Sequence, residues 1–195
     1  MGIINRIGKW LKYVNLLLFT EVDPNSHITV SGSSVTASSI NYNEDAYVYR
    51  DYGVDFFNGF TLLFDIKLTS ADSSSGISCG FSNQLDDFSG WSGDYIRVSI
   101  LRGVSIYLYS KSGTSDGCSG LSLNVTYYCK LVRVANSATL TLYIYSDSSR
   151  VTLIDTLARN MASSSSKFRY FYPIVSYDLD DAKASSGNIS NFQFV

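Results

Sequence analysis

One loop of the chain combines aromatic and carboxylate side chains in a way that suits sugar binding. The loop covers residues 84–95, and its candidate glycan ligands are Trp91, Tyr95, Asp94 and Asp87. Sugar recognition uses an aromatic ring beneath the apolar face of a pyranose, with carboxylate or amide groups for its hydroxyls. The loop therefore predicts a glycan-binding site. The alternative is a solvated hairpin whose Trp91 closes the end of the core.

A second loop, close to the C-terminus, gathers three carboxylates. They belong to Asp178, Asp180 and Asp181. Calcium requires six to eight oxygen ligands, which these side chains and loop carbonyls together can supply. The sequence predicts an acidic turn without a cofactor, and a Ca²⁺ site at these three residues is the alternative.

The residues needed for catalysis are scarce. Glycosidases of the β-sandwich type need a pair of carboxylates on either side of the sugar bond, but the only glutamates are Glu21 and Glu44. His27, the single histidine, lies at the start of the first short predicted strand, so an activated serine or cysteine is not indicated. We predict a protein that is not an enzyme. A glycoside hydrolase would need an unusual carboxylate pair.

Composition sets further bounds. The 195 residues suffice for one well-buried domain, and a net charge of −2 disfavours nucleic-acid binding.

Three cysteines, Cys79, Cys118 and Cys129, permit at most one disulfide. A Cys118–Cys129 bond would close a short loop, but we predict three unpaired, mostly buried thiols, which is typical of a protein that matures in a reducing cytoplasm.

The elements that position these loops are predicted to be strands, because apolar side chains alternate along the chain. In the stretch 43–70, Tyr47 and Tyr49 alternate with Val48, and residues 60–68 place apolar side chains at every second position. Further strands are predicted near 27–30, 34–38, 77–82, 94–101, 104–110, 121–123, 127–134, 139–146, 151–158, 168–176 and 188–195. Spacings of ten to fifteen residues favour an antiparallel sandwich.

The stretch 43–70 and the final strand, 187–195, resemble laminin-G-like jelly rolls of the concanavalin A-like lectin/glucanase superfamily. The resemblance covers residues 21–195. The resemblance implies an all-β, antiparallel two-sheet jelly-roll sandwich, and residue spacing alone predicts a short N-terminal amphipathic helix before it. It also implies little about activity, because this fold hosts lectins, glycosidases and scaffolds. Domains of this kind occur in virion proteins.

Residues 1–20 form a separate arm in this prediction, with the sandwich at 21–195. Apolar residues in the arm recur at helical spacing, with Arg6, Lys9 and Lys12 on the opposite face. The predicted partner-docking residues are Ile3, Ile4, Ile7, Trp10, Leu11 and Val14. A signal peptide, attachment to a membrane surface and docking of the arm on its own sandwich are the alternatives.

These observations lead to two hypotheses about function. The first is a non-enzymatic structural or interaction module of a virion: a phage capsid decoration, accessory or fibre-associated protein made in the host cytoplasm. Its N-terminal helix would bind other capsid subunits or a second copy. The alternative is a carbohydrate-binding lectin domain, secreted or at the cell surface, that recognises host glycans. Nucleic acid is not an expected partner.

Overall fold

The structure is a computed structural model, and it describes residues 13–41, 44–72, 75–88, 90–101, 104–111, 115–176 and 183–195. Within these ranges the chain forms strands and one short 3-10 helix, Leu16–Leu18. The strands are β1 Thr20–Val22, β2 Ile28–Val30, β3 Ser34–Asn41, β4 Tyr47–Asp51, β5 Phe60–Ala71, β6 Gly76–Ser82, β7 Tyr95–Leu101, β8 Ser105–Ser110, β9 Asp116–Cys118, β10 Tyr127–Arg133, β11 Thr139–Tyr145, β12 Leu153–Asn160, β13 Tyr170–Val175 and β14 Ala184–Phe194.

The strands form two seven-stranded antiparallel sheets. Sheet A has the order β1-β4-β13-β6-β7-β8-β9, and sheet B has the order β12-β11-β10-β5-β14-β3-β2. Six of the twelve neighbouring pairs join strands that are not consecutive in sequence, as β5 and β14 are, which is the arrangement of a jelly roll. The predicted all-β, two-sheet sandwich is confirmed.

Alternation along the strands builds the core between the sheets. In β5, Phe60, Leu62 and Phe64 are buried and point inward, whereas Thr61 and Leu63 are partly exposed on the outside. Sheet A contributes the inward side chains of strands such as β7, where Ile96 and Val98 are buried. Burial of about 25 cal/mol per Å² of apolar surface over such a core is the main stabilising term.

Strand β13 is buried along its whole length and its neighbour β6 at all but the first residue, whereas β4 on the other side is partly exposed. Phe171 and Ile174 face the core, and Tyr170 and Tyr172 face the opposite side. The register to both neighbouring strands shifts around Pro173. A bulge is where a proline, which lacks an N–H, is tolerated within a sheet.

Two short strands differ from the prediction. The predicted strand at 121–123 is absent, because residues 123–124 form a turn in which Asn124 has a φ of 64°. Strand β9, Asp116–Cys118, pairs instead with β8. Strand β1 crosses the predicted boundary between arm and sandwich, since only Thr20 was assigned to the arm, and it pairs with β4.

The N-terminal segment also differs from the prediction over the part that the structure describes. Residues 13–18 contain a 3-10 turn rather than a continued α-helix. Val14 is 4% exposed and belongs to the core, where its N–H donates to the carbonyl of Phe192 over 2.9 Å. This corrects the docking role predicted for Val14, because its side chain is covered by its own sandwich. The other predicted docking residues, Ile3, Ile4, Ile7, Trp10 and Leu11, lie outside the described residues.

All three cysteines are unpaired and buried. Cys79 lies on β6, Cys118 on β9 and Cys129 on β10, so the predicted free thiols are confirmed and a Cys118–Cys129 bond is absent. Burial raises the pKa of all three thiols, as desolvation disfavours a thiolate.

Candidate functional site

The outer face of sheet A is lined with tyrosines. The alternation that points Val48, Val98 and Leu108 into the core points their strand neighbours outward. We call the resulting surface the aromatic face; its tyrosines are Tyr47, Tyr49, Tyr95, Tyr107, Tyr109, Tyr170 and Tyr172. Four of them, on β4 and β13, have ring centroids 5.9–6.3 Å from their neighbours.

The middle of the aromatic face carries small residues. Ser78, Gly80 and Ser82 on β6 lie opposite Ser99, Arg97 and Tyr95 on β7. Ser78 and Ser99 are buried, and their hydroxyl oxygens lie 2.7 Å apart. The small side chains lie between the tyrosines of β4 and β13 on one side and those of β8 on the other.

The segment between β6 and β7 folds back over part of the aromatic face. Trp91 is 4% exposed, and its ring centroid lies 4.9 Å from that of Tyr172 and 5.4 Å from that of Phe88. The indole N–H donates to the carbonyl of Asp86 over 3.1 Å. Trp91 therefore belongs to a second hydrophobic cluster outside the main core.

These contacts correct part of the predicted glycan site. Trp91 and Asp87 are both buried within the loop, so neither side chain is presented to a sugar as predicted. The alternative, a solvated hairpin whose Trp91 closes the end of the core, agrees with the burial of Trp91, but Trp91 packs in the second cluster and not in the main core. The physical reason is that a large aromatic side chain gains more from burial on the neighbouring tyrosines than from exposure.

The two remaining predicted glycan ligands are partly exposed at the edge of the loop. Tyr95 begins β7 and packs on Phe88, with ring centroids 5.1 Å apart. Asp94 accepts a hydrogen bond from the Ser166 hydroxyl. Tyr95 thus belongs to the aromatic face and Asp94 contacts Ser166, whereas the other two predicted ligands lie beneath the loop surface.

Arg97 places a buried cation within the aromatic face. Its guanidinium carbon lies 3.7 Å from the ring centroid of Phe88 and 4.1 Å from that of Tyr109. Stacking between two rings fixes the guanidinium and contributes cation–π attraction. Arg97 therefore holds Tyr109 in a fixed orientation on the sheet.

Tyr107 and Tyr109 form a pair of partly exposed rings on β8. Their centroids are 5.8 Å apart, with 37° between the ring planes. Gly117 on β9 lies opposite Tyr107, and a Cβ at Gly117 would come within 2.5 Å of the Tyr107 ring. Glycine thus leaves space for the ring to lie across the neighbouring strand. We call these two rings the tyrosine platform.

The platform adjoins the loop through a lysine. Lys111, exposed at the end of β8, donates from its ammonium to the carbonyl of Ser92. The side-chain amide of Gln84 binds the same turn, with Nε2 donating to the Ser92 hydroxyl over 2.7 Å and Oε1 accepting from the Gly93 N–H over 3.1 Å. Polar groups therefore border the platform on its loop side.

The platform was not among the residues that the sequence singled out. A signal for it exists, because Ser105-Ile-Tyr-Leu-Tyr-Ser110 alternates apolar and tyrosine side chains within one strand. What the sequence does not indicate is that Gly117 lies opposite Tyr107, because this pairing depends on strand β9.

The predicted calcium ligands, Asp178, Asp180 and Asp181, lie outside the described residues. Within the described ranges, no group of three or more His, Cys, Asp or Glu side chains is arranged to hold a metal ion. Over the same ranges, no helix combines the length and the apolar composition that crossing a membrane requires.

Comparisons with known proteins give matches in structure alone. No family model and no curated protein matches the sequence. A legume lectin-like domain from Entamoeba histolytica superposes with a TM-score of 0.60 at 13% identity, covering 91% of this chain and 89% of that one. Basic winged bean lectin with Tn-antigen has a TM-score of 0.64 at 9% identity, covering 94% and 95%.

A third similar structure is the exoplasmic/lumenal domain of VIP36 in its Ca²⁺/Man2-bound form. Its TM-score is 0.57 at 10% identity, and the match covers 89% of this chain and 80% of that one. At such low sequence identity, structural similarity establishes the fold and no further property. The chain therefore has the concanavalin A-like jelly-roll fold of the legume lectin-like proteins.

Proposed function

We propose that this protein is a carbohydrate-binding, lectin-like domain and that its glycan binds on the tyrosine platform. The observation that carries the proposal is the pair Tyr107 and Tyr109, two partly exposed rings held side by side on one strand. Gly117 leaves space for the Tyr107 ring, and the Arg97 guanidinium stacks on the Tyr109 ring. A rigid pair of rings loses little conformational entropy when a ligand binds.

The chemistry of the platform suits a neutral sugar. Tyrosine rings offer an apolar surface to the C–H face of a pyranose, and their hydroxyls can donate to and accept from sugar hydroxyls. Lys111 borders this area and adds a hydrogen-bond donor. The combination of flat apolar area and a few convergent polar groups is that of a small-molecule site.

The similar structures support this proposal over the virion hypothesis. Basic winged bean lectin was solved with Tn-antigen and VIP36 with Man2, so two proteins of this fold are sugar-bound. Neither comparison supports capsid subunits as partners. The lumenal setting of VIP36 likewise favours the secreted or cell-surface alternative for this protein over a virion.

We propose binding without catalysis. Asp51, at the edge of the aromatic face, is paired with Arg169, whose Nε lies 2.8 Å from Asp51 Oδ1. That hydrogen bond holds the pKa of Asp51 below its usual range, which is unsuited to a general acid. Asp94 is bound by Ser166, and the glutamates Glu21 and Glu44 lie on other elements.

Calcium is a separate part of the proposal. VIP36 is Ca²⁺-bound in its sugar complex, and Asp178, Asp180 and Asp181 follow β13 directly in this sequence. Carboxylates at this spacing have the chemistry of calcium ligands. We propose that the three aspartates hold any calcium that binds. Glycan titrations with and without EDTA test whether glycan binding requires it.

The test is a glycan array followed by calorimetric titration of the sugars that bind. Tyr107→Ala and Tyr109→Ala should each weaken binding about tenfold or more, which corresponds to about 1.4 kcal/mol. Gly117→Ala should weaken binding with both rings still present, because the added methyl group displaces the Tyr107 ring.

Tyr143→Ala is the matched control. Tyr143 is a partly exposed strand tyrosine on sheet B, with the Lys130 ammonium 5.6 Å from its ring centroid. This variant should bind sugar as the native protein does. The proposal is wrong if no glycan binds, or if the variants of Tyr107 and Tyr143 bind equally well at equal thermal stability.

A further inference from the structure

Two triplets of the sequence have the form Asn-x-Ser/Thr, which is the acceptor sequence for attachment of a glycan to asparagine. The first is Asn124-Val-Thr126 and the second is Asn188-Ile-Ser190. Such triplets arise by chance in a chain rich in asparagine, serine and threonine, so the triplet alone assigns nothing. The two asparagines lie in contrasting surroundings in the fold, and this contrast distinguishes them.

Asn124 lies in an exposed turn between β9 and β10. Its neighbours Leu123 and Val125 are exposed as well. The backbone of the turn is nevertheless fixed, because the N–H of Asn124 donates to the carbonyl of Leu68 over 2.9 Å. Asn124 has a φ of 64°, a left-handed conformation that asparagine tolerates better than most residues. The turn therefore holds Asn124 at the surface, where a bulky substituent fits.

Asn188 lies within β14, between β5 and β3. Its Nδ2 donates to the carbonyl of Val35 over 3.2 Å and to the hydroxyl of Thr36 over 3.0 Å. A side-chain amide nitrogen has two hydrogens, and these two bonds use both of them. A glycan would replace one hydrogen, break one bond to β3 and lie over the side chains of two neighbouring strands. The folded protein therefore disfavours a glycan at Asn188.

We propose that Asn124 is an N-glycosylation site of this protein and that Asn188 is not. The proposal rests on the secreted or cell-surface location proposed for this protein, since such glycans are attached to secreted proteins. An oligosaccharyltransferase would join Nδ2 of Asn124 to C1 of the first sugar of a lipid pyrophosphate-linked oligosaccharide. The bond between C1 and the pyrophosphate oxygen breaks, the lipid pyrophosphate leaves with the bonding electrons, and one amide proton passes to solvent.

The fold decides which site stays occupied even where the glycan is attached before folding is complete. An extended chain presents both asparagines to the transferase. A glycan at Asn124 leaves the fold unchanged, because the turn is exposed. A glycan at Asn188 removes a hydrogen bond between β14 and β3, so that chain folds less readily. The folded population should therefore carry its glycan at Asn124.

The residues on either side of Asn124 give this glycan a physical effect. Leu123 and Val125 are apolar side chains that are 44% and 41% exposed. An attached glycan is bulky and solubilising, and between these two residues it would shield both from contact with other proteins. Enzymatic removal of the glycan should therefore lower the solubility of the protein while leaving its melting temperature nearly unchanged.

The experiment is expression of the full chain in a eukaryotic cell line behind a cleavable secretion signal. The intact mass of the secreted protein is measured before and after treatment with peptide N-glycosidase. The treatment is carried out in heavy-oxygen water, which labels each asparagine that carried a glycan. The native protein should lose one glycan and be labelled at Asn124. Sugar binding is not part of this measurement, so failure of this proposal is distinguishable from failure of the tyrosine platform.

Variants separate the acceptor sequence from the fold. Thr126→Ser keeps the hydroxyl and should keep the glycan, whereas Thr126→Val has nearly the same shape without the hydroxyl and should lose it. Asn124→Asp removes the acceptor amide but keeps a residue that tolerates the left-handed backbone. Ser190→Ala is the matched control, because it removes the second triplet and should leave the glycan in place.

Four results would overturn the proposal. The first is a secreted native protein of unmodified mass. The second is a label at Asn188 as strong as the label at Asn124. The third is equal glycan occupancy in the Thr126→Val and Thr126→Ser proteins, which would place the glycan elsewhere. The fourth is an unmodified mass for the protein isolated from its natural source, which would contradict the secreted location as well.

Discussion

The guanidinium of Arg150 donates a hydrogen bond of 2.8 Å to the carboxylate of Asp65, which lies 85 residues earlier in the chain. Asp65 points to the outer face of sheet B, but it is buried there, because Arg150 reaches it from the turn between β11 and β12. Asn191 donates to the other carboxylate oxygen over 2.7 Å. Arg150 and Asn191 have φ values of 55° and 56°, a conformation that side chains disfavour. Asp65 therefore fixes a turn and a bulge at the same point.

Removing this carboxylate should destabilise the fold. Asp65→Ala leaves the Arg150 guanidinium without its partner, and we expect the free energy of unfolding to fall by about 2–4 kcal/mol in urea titrations. Lys67→Ala, on the same face of β5, is the control and should change stability little. The double variant Asp65→Ala/Arg150→Ala should be less destabilised than the sum of the two single changes. Equal stability of the Asp65 and Lys67 variants would contradict the role of the pair.

Trp91 should prove to be a stabilising residue of the loop. It is buried on Tyr172 and Phe88, so Trp91→Ala should lower the free energy of unfolding by about 3 kcal/mol. Leu85→Ala serves as the control because Leu85 belongs to the same loop and is 48% exposed. Thermal unfolding followed by circular dichroism measures both. A Trp91→Ala protein that loses sugar binding at an unchanged melting temperature would instead place Trp91 in contact with the ligand.

The sequence predicted the long elements better than the site. Alternation in β5 and β8 gives both their extent and their inward face, because each strand is covered on one side only. Strand β13 has no alternation, since the loop containing Trp91 covers its outer side. Strand β9, Asp116–Cys118, is too short for any period. The burial of Trp91 was not predictable, because an aromatic residue among carboxylates suits both a sugar site and a packed loop.

The buried thiols should be unreactive in the native protein. Burial, followed by the charge and hydrogen bond of Asp155, raises the pKa of Cys118 to about 11. Burial raises the pKa of Cys79 and Cys129 as well. At about pH 8, where an ordinary thiol is partly ionised, we expect no reaction with Ellman's reagent. Three thiols should react in concentrated guanidinium chloride. Rapid reaction of the folded protein would mean that the strands of these cysteines open readily.

Glu44 connects the start of β2 to the turn after β3. Its side chain is 1% exposed, and Oε2 lies 2.8 Å from Nδ1 of His27 and accepts the N–H of Asn41 over 2.8 Å. Burial acts to raise the pKa of Glu44, but the hydrogen bonds from Asn41, His27 and Asn25 outweigh it and the pKa is lowered. The ionised carboxylate is therefore favoured in the folded protein.

This lowered pKa predicts a pH-dependent contribution to stability. A carboxyl whose pKa is lower in the folded than in the unfolded state stabilises the fold above its unfolded pKa, about 4.3, and this contribution is lost as the pH falls through the folded pKa. Glu44→Gln should therefore reduce the free energy of unfolding by about 1–3 kcal/mol near neutral pH, with the difference shrinking in acid. Glu21 is the matched control, since it is the only other glutamate and its pKa is raised by burial and by Asp23. Glu21→Gln should leave stability near neutral pH unchanged or slightly higher. Urea titrations of both variants from neutral to acid pH measure the difference, and parallel pH profiles for the two would refute the assignment to Glu44.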